Sequence, residues 1–335
     1  MRILGIETSC DETAAAVLEE NNVLSNVVLS QAVHSDFGGV VPEIASRAHI
    51  KAIVPIVERG LLESGTSLDS EDSIAVTVGP GLIGSLIVGV VFAKGLSFSW
   101  KKPLVGVDHI ESHIAAVHLA DEAVDEPFVC LVVSGGHTHL FFVEQPMKLS
   151  LLGCTRDDAA GEAFDKVGRM LGLAYPGGPE VEREAEKGDP KSIDFPRPVK
   201  LGAHEFSFSG LKTAVRYFID RHQGEISPNL RADIAASFQE AVVDVLVDKT
   251  LGAARDLGVR FVSAVGGVAS NAYLRKKLTS KAEALGLRTL LPGSELCTDN
   301  AAIVAMSGLI RCRSGEQSRL PVSPYSTIRR STGIR

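Results

Sequence analysis

The feature that most constrains this chain is an order of elements that occurs twice. Residues 2–7, 13–19 and 23–30 are short β-rich runs, expected as an antiparallel meander. Apolar residues at helical spacing follow over 44–62, then a buried strand SIAVTVG, a helix over 84–100, a strand in PLVGVD and a helix over 109–119. The order then returns: strands at 128–133, 139–143 and 149–153, and helical segments around 162–171 and 230–257. The strand FVSAVG, a helix from Asn271, a short strand RTLLP and a last helix over 299–310 complete it. Three strands, helix, strand, helix, strand, helix, twice over, predicts two α/β lobes. Sequence identity between the halves is slight, so the repeat is one of pattern.

A length of 335 residues suits two such lobes at about 150 residues per domain. The boundaries are expected at 1–125 for the first lobe and 126–310 for the second. Residues 173–210, rich in Gly, Pro and charge, form an insertion expected across the cleft, and a basic tail occupies 311–335. A duplicated lobe of this order resembles the actin-like ATPase and sugar-kinase (ASKHA) superfold, two lobes around a central cleft. Kinases, ATPases and transferases all use that architecture, so the site must decide the function.

Composition narrows the classes. Thirty-four Lys and Arg against 41 Asp and Glu give net charge −7, which argues against binding nucleic acid by bulk attraction. Local patches or partners must make any RNA contact. Five scattered cysteines with no CxxC pair fit a reducing compartment. The start MRILGIE lacks the marks of a signal peptide, and a Gly-Pro-Gly turn interrupts the uncharged stretch 73–93. That stretch reads as a buried strand followed by a buried helix, and the chain as cytoplasmic and soluble, without a membrane segment.

His109 and His113 lie in DHIESHIAAVHL, where a spacing of four on a helix turns the second imidazole only ~40° from the first. Both can reach one metal, although packed or surface histidines show the same spacing. Glu111 sits ~200° around the helix from His109, which disfavours a zinc-peptidase arrangement such as HExxH. Asp299, in LCTDNAAI, is either a helix N-cap or the oxygen ligand that completes a His2Asp site suited to Fe(II), Zn or Mn. The turn VVSGGHT can cradle an anion with its backbone N–H groups or be a plain hairpin turn. The matching first-lobe turn, GIETSCDET, places Asp11 and Glu12 where sugar kinases need small residues. Two carboxylates there repel a γ-phosphate, so phosphoryl transfer is disfavoured. GGVASN can hold a flat ring against its glycines or simply cap a helix through Ser270 or Asn271. Asp165 can accept from ribose hydroxyls or lie on a solvated helix face.

Taken together, GIETSCDET, GGVVPEIASRAH, VGPGLIGSL, HIESH, VVSGGHT, GEAFDKVGR, YPGGP, FSFSGLKTAV, GGVASN and CTDN resemble the bacterial TsaD family over nearly the whole chain. Its members are the catalytic subunit of tRNA threonylcarbamoyladenosine synthesis, similar to the corresponding KEOPS subunit and formerly labelled O-sialoglycoprotein endopeptidase. The resemblance implies threonylcarbamoyl transfer from threonylcarbamoyl-AMP to the N6 amine of the adenosine 3′ to the anticodon, in tRNAs reading codons that begin with A. It implies one divalent ion, Fe(2+) favoured and Zn(2+) the alternative, on His109, His113 and Asp299. Substrate-binding positions carry over to Val132, Val133, Ser134, Gly135, Gly136, Asp165, Gly178 and Asn271, and to Glu182, where some relatives have Asp. Archaeal relatives offer a Tyr ligand where this chain has Val132. Asp11, Glu12 or His137 is expected to move the proton of the attacking amine. The implied partners are tRNA, a paralogous actin-like subunit expected to dock on the 44–62 helix, and a small ATPase.

Overall fold

The computed structural model describes residues 1–120, 126–198, 202–222, 226–315 and 322–327, in two compact units. In the first, β1 (Arg2–Glu7), β2 (Glu12–Glu19) and β3 (Asn22–Ser30) form the antiparallel meander, and β4 (Ser73–Gly79) and β5 (Leu104–Asp108) extend it in parallel, in the order β3-β2-β1-β4-β5. Between them run α1 (Pro42–Ser64), α2 (Ile83–Trp100) and α3 (His109–Ala115). Pro42 at the first turn starts α1, and Gly65 at φ 67 ends it in the left-handed conformation that glycine adopts without a Cβ clash. Leu4, Ile6, Ala15, Val17, Ile74 and Val76 pack with Ile53, Ile56 and Val57 of α1 and Val90 and Ala93 of α2.

The second unit repeats the plan. Strands β6 (Phe128–Val133), β7 (Thr138–Gln145), β8 (Lys148–Cys154), β9 (Phe261–Val265) and β10 (Arg288–Leu290) take the order β10-β9-β6-β7-β8, with β6, β9 and β10 parallel. Its helices are α4 (Ala160–Met170), α5 (Gly177–Ala185), α6 (Ser209–Arg221), α7 (Pro228–Leu257) and α8 (Ala272–Ala284). The 173–210 segment is part of this unit's core through Phe195, Phe206 and Phe208. Asp157 ties that segment to the β8–α4 loop by accepting from Phe208 N at 2.8 Å and Ser209 Oγ at 2.7 Å.

The last helix, α9 (Ala301–Arg313), corrects the expected boundary at 310, because residues 299–335 belong to the first unit and residues 124–298 to the second. It lies on the face of the first sheet opposite α1 and α2. A Cβ on Gly5 would come within 2.8 Å of Ala305 N, and one on Gly308 within 2.9 Å of Ile3 Cδ1. Thus both faces of the sheet are covered, which is why its central strands are apolar at successive positions rather than alternating. The tail arginines are also not all unengaged: Arg311 pairs with Glu111, and Arg313 with Glu20. Arg319, Arg329, Arg330, Arg335 and Glu316 lie outside the described residues.

A second correction concerns α2, expected as a buried helix. Ser85, Leu86, Gly89, Val90 and Ala93 are buried, but Ile83, Ile87, Val91 and Phe98 are exposed. Among the described residues it is the one helix long and apolar enough to cross a membrane by length and composition.

Candidate metal centre and ligand loops

In the first unit, the carboxyl ends of the parallel strands converge on one cluster, the place where open α/β sheets bind ligands. Strand β5 ends at Asp108, whose carboxylate caps α3 by accepting from Ile110 N at 2.8 Å and Glu111 N at 3.1 Å. This cap starts the helix at His109, so His109 and His113 share a face, with ring centroids 4.7 Å apart. Asp299 reaches them from just before α9. Its Oδ1 lies 3.1 Å from His113 Nε2 and 3.7 Å from His109 Nε2. The N-cap of α9 is Asn300, which accepts from Ala302 N at 3.0 Å. The helix-cap alternative for Asp299 therefore yields to Asn300.

One ligand atom from each of His109, His113 and Asp299 falls within 4.8 Å of the others, two imidazole nitrogens and a carboxylate oxygen. This donor set fits a borderline divalent ion. The buried Nδ1 of His113 has no hydrogen-bond partner, and the ring's one polar contact is that of Nε2 with Asp299. Around His109 there is an orienting shell that sequence reading missed. Its Nδ1 is 3.2 Å from Ser9 Oγ and 3.6 Å from Glu7 Oε2, and Glu7 also accepts from Thr77 Oγ1 at 2.6 Å and from Ser9 N. A carboxylate behind a ligating imidazole fixes the tautomer that leaves Nε2 for the ion. The available signal was a carboxylate, Glu7, closing the apolar run ILGI of that strand.

The cluster is strongly negative. Burial would lower His109, yet the charges of Asp299 and Glu7 outweigh it and push the imidazole up to about 9. Burial would likewise raise Glu7, but its hydrogen bond to His109 and that residue's charge hold the carboxyl below the usual range. Burial, with Asp299 and Asp11 nearby, pushes Glu12 up to about 9. Glu12 opens β2, and Asp11 sits in the turn before it. Burial and the same acids push the Cys10 thiol far up, which leaves it inert. Glu111 points its charge to Arg311, in keeping with the helical angle that disfavoured a peptidase.

The second unit gathers its loops in the same way, at the carboxyl ends of β6 and β9. Val132 and Val133 are buried strand residues, paired with His139 and Thr138, so only their backbone can serve a ligand. Ser134 N donates to His137 O at 2.8 Å, and His137 N to Ser134 Oγ at 3.2 Å, a hairpin turn with two glycines at its tip. Open space surrounds Gly135, Gly136, Gly178 and Gly267: a Cβ on any of them would meet nothing within 4 Å. Gly266, at φ +93, packs on Val133, where a Cβ would lie 2.5 Å from the carbonyl oxygen.

The expected polar contacts are largely committed within the chain. Asp165 accepts from Gly177 N at 2.8 Å, and burial pushes its carboxyl up. Glu182 accepts from Ala272 N at 2.7 Å at the start of α8, and burial raises it too. Asn271 caps α8 by accepting from Leu274 N at 2.8 Å, while its amide donates to Gln239 at 2.9 Å. The capping reading of GGVASN is therefore realised by Asn271, with Gln239 a partner that the sequence did not mark. With Gly161 N donating to Ser134 O at 3.2 Å, these bonds link the hairpin turn, α4, α5 and α8.

The profile of the TsaD family, tRNA N6-adenosine threonylcarbamoyltransferase, matches residues 22–306. A protein of that name from Thermosipho africanus (strain TCF52B) is 49% identical over 320 residues, covering 95% of this chain and 96% of the relative. One from Thermotoga neapolitana is 51% identical over 321 residues, covering 94% and 95%. In fold, the chain is similar to T. kodakarensis HypF, with a TM-score of 0.62 at 16% identity over 93% of this chain and 48% of that one. The activator of 2-hydroxyisocaproyl-CoA dehydratase from Clostridium difficile gives 0.53 at 11% identity, covering 94% and 97%. The two five-stranded units accordingly have the ASKHA architecture. With the match running through both units, the chain belongs to the tRNA N6-adenosine threonylcarbamoyltransferase family.

Proposed function

We propose that this chain transfers the threonylcarbamoyl group of threonylcarbamoyl-AMP to the N6 amine of the adenosine 3′ to the anticodon, in tRNAs reading codons that begin with A. The observation that carries the reading is the His109–His113–Asp299 cluster at the strand ends of a chain belonging to this family. These three residues hold one divalent ion, iron(II) in the cell with zinc the alternative. A bound ion would supply Lewis-acid polarisation of a substrate oxygen. Glu7 and Ser9 orient His109 for that task.

Acyl transfer from a mixed anhydride releases AMP, and its phosphate needs N–H donors. The open backbone at Gly135 and Gly136 is suited to that role. Asp165 and Gly178 line the ribose side, while Glu182 and Asn271 act by holding the α8 loop in place. The attacking amine must lose a proton, and Asp11 or Glu12 accepts it, with His137 the alternative.

The chain works in the cytoplasm with a paralogous actin-like subunit and a small ATPase. The surface assigned to the first partner joins Ile50 and Val54 of α1 to Ile83, Ile87 and Val91 of α2, rows at helical spacing left exposed on packed helices. At net charge −7, tRNA affinity depends on local basic residues and on those partners.

The test combines unmodified tRNA, threonine, bicarbonate and ATP with the enzyme that makes threonylcarbamoyl-AMP, scoring modified adenosine with and without this chain. Modification is expected only when the chain and its partners are present, and Asp299→Ala is expected to abolish both activity and bound metal. Full metal occupancy in Asp299→Ala, or modification without the chain, would overturn the reading.

A further inference from the structure

Helix α3 carries both histidines yet spans only His109–Ala115, too short to hold its own position, and the C-terminal part of the chain grips it. Arg311 of α9 pairs with Glu111. Beyond α9, residues 322–327 return to the first unit, where the Tyr325 hydroxyl donates to Asp108 Oδ2. The other oxygen of that carboxylate caps α3. The backbone fastens the same residue, with Tyr325 N donating to Val78 O at 2.9 Å.

Two glycines make room for this segment. At Gly79, φ +148, a Cβ would sit 2.7 Å from the Tyr325 ring, and at Gly106 it would sit 2.9 Å from Val322 Cγ1. Val322 is itself buried in the first unit's core. The glycine of VGPG and the glycine of PLVGVD thus make room for a segment well over two hundred residues later, beside the positive φ of Gly79 and the close approach of Val78 Cγ1 to Gly106.

We propose that residues 322–327 form a latch that sets the position of the metal-binding helix, with Tyr325 as its positioning residue. The hydroxyl of Tyr325 fixes the rotamer of Asp108, Asp108 fixes the first turn of α3, and the first turn fixes His109. The proposal rests on the metal reading for its consequence but not for its geometry, and the test separates the two.

Hydrogen exchange at the Ile110 and Glu111 amides, which donate to Asp108, is measured on the metal-free full chain, on Tyr325→Phe and on a truncation after Gly315. Exchange is expected to quicken at least tenfold in both variants while β6 amides stay unchanged. Titration with Co2+ alone, followed by its visible absorption, is expected to show a changed band and roughly three- to tenfold weaker binding in Tyr325→Phe at unaltered Tm. A merely structural tyrosine would leave that spectrum unmoved.

Unchanged exchange in Tyr325→Phe overturns the latch, even if the truncated chain is destabilised. An unchanged Co2+ spectrum and affinity in Tyr325→Phe overturns its positioning role. Absence of Co2+ binding by the unsubstituted chain overturns the metal reading, and quickened exchange would then still support the latch.

Discussion

At residue scale, Glu71 shows how burial alone sets a pH dependence. It is fully buried, and burial pushes its carboxyl up to about 7 while Thr66 and Arg2 restrain it only in part. The folded chain therefore binds more protons than the unfolded one between the ordinary 4.5 and about 7. The protonated side chain costs nothing extra below that window, and stability is lost as pH rises through it. Glu71→Gln is expected to stabilise by about 2 kcal/mol at pH 8, with the gain vanishing below about pH 4.5, as read by urea unfolding. Asn271→Ala should destabilise by about 1 kcal/mol through the lost α8 cap. If Asn271 acts by holding the loop, its loss also raises KM for threonylcarbamoyl-AMP more than it lowers kcat, which steady-state kinetics measures. The His pair was legible because helical geometry relates positions four apart. Glu7 was not, since a carboxylate at a strand end reads as ordinary strand termination until the structure brings Thr77 and His109 to it.

At the scale of elements, the strands and helices of the repeated order fell close to their expected bounds, whereas α5 (Gly177–Ala185), inside the segment read as an insertion, and α6 (Ser209–Arg221) were not expected. The expected 44–62 helix runs Pro42–Ser64, and the 109–119 helix gives way after Ala115 to a 3-10 turn. The sheet that a helix will cover was not legible. Nothing in AAIVAMSGLI marks α9 for the first unit, and sequence adjacency favours the second. The mark lies on the receiving strand, at Gly5. A Cβ there would meet the α9 backbone, so Gly5→Ala should cost about 1–3 kcal/mol by overpacking, seen as a lower Tm with little change at second-unit amides. Half-exposure of α2 was also hidden, because an all-apolar helix has no polar face to announce which side stays uncovered.

For the whole molecule, the two units differ in how they are assembled from the chain. Residues 124–298 are continuous, whereas the first unit needs 1–123 and 299–335 together. Expressed alone, 124–298 is expected to unfold in one cooperative urea transition followed by circular dichroism. Residues 1–123 alone are expected to show none, because the Gly5 face of the sheet lies bare, and fusing 299–335 behind residue 123 should restore it.

The same discontinuity dictates events on the ribosome. His109 and His113 leave the exit tunnel long before Asp299 is translated, while 124–298 emerge as one uninterrupted stretch. Residues 1–123 must wait for those from 299 on, and the stretch between can close before them, reversing the usual N-terminal-first order. On the proposed metal reading, the three ligands can capture an ion only after Asp299 is made, and a chain terminated before it has no complete trio with which to sequester one.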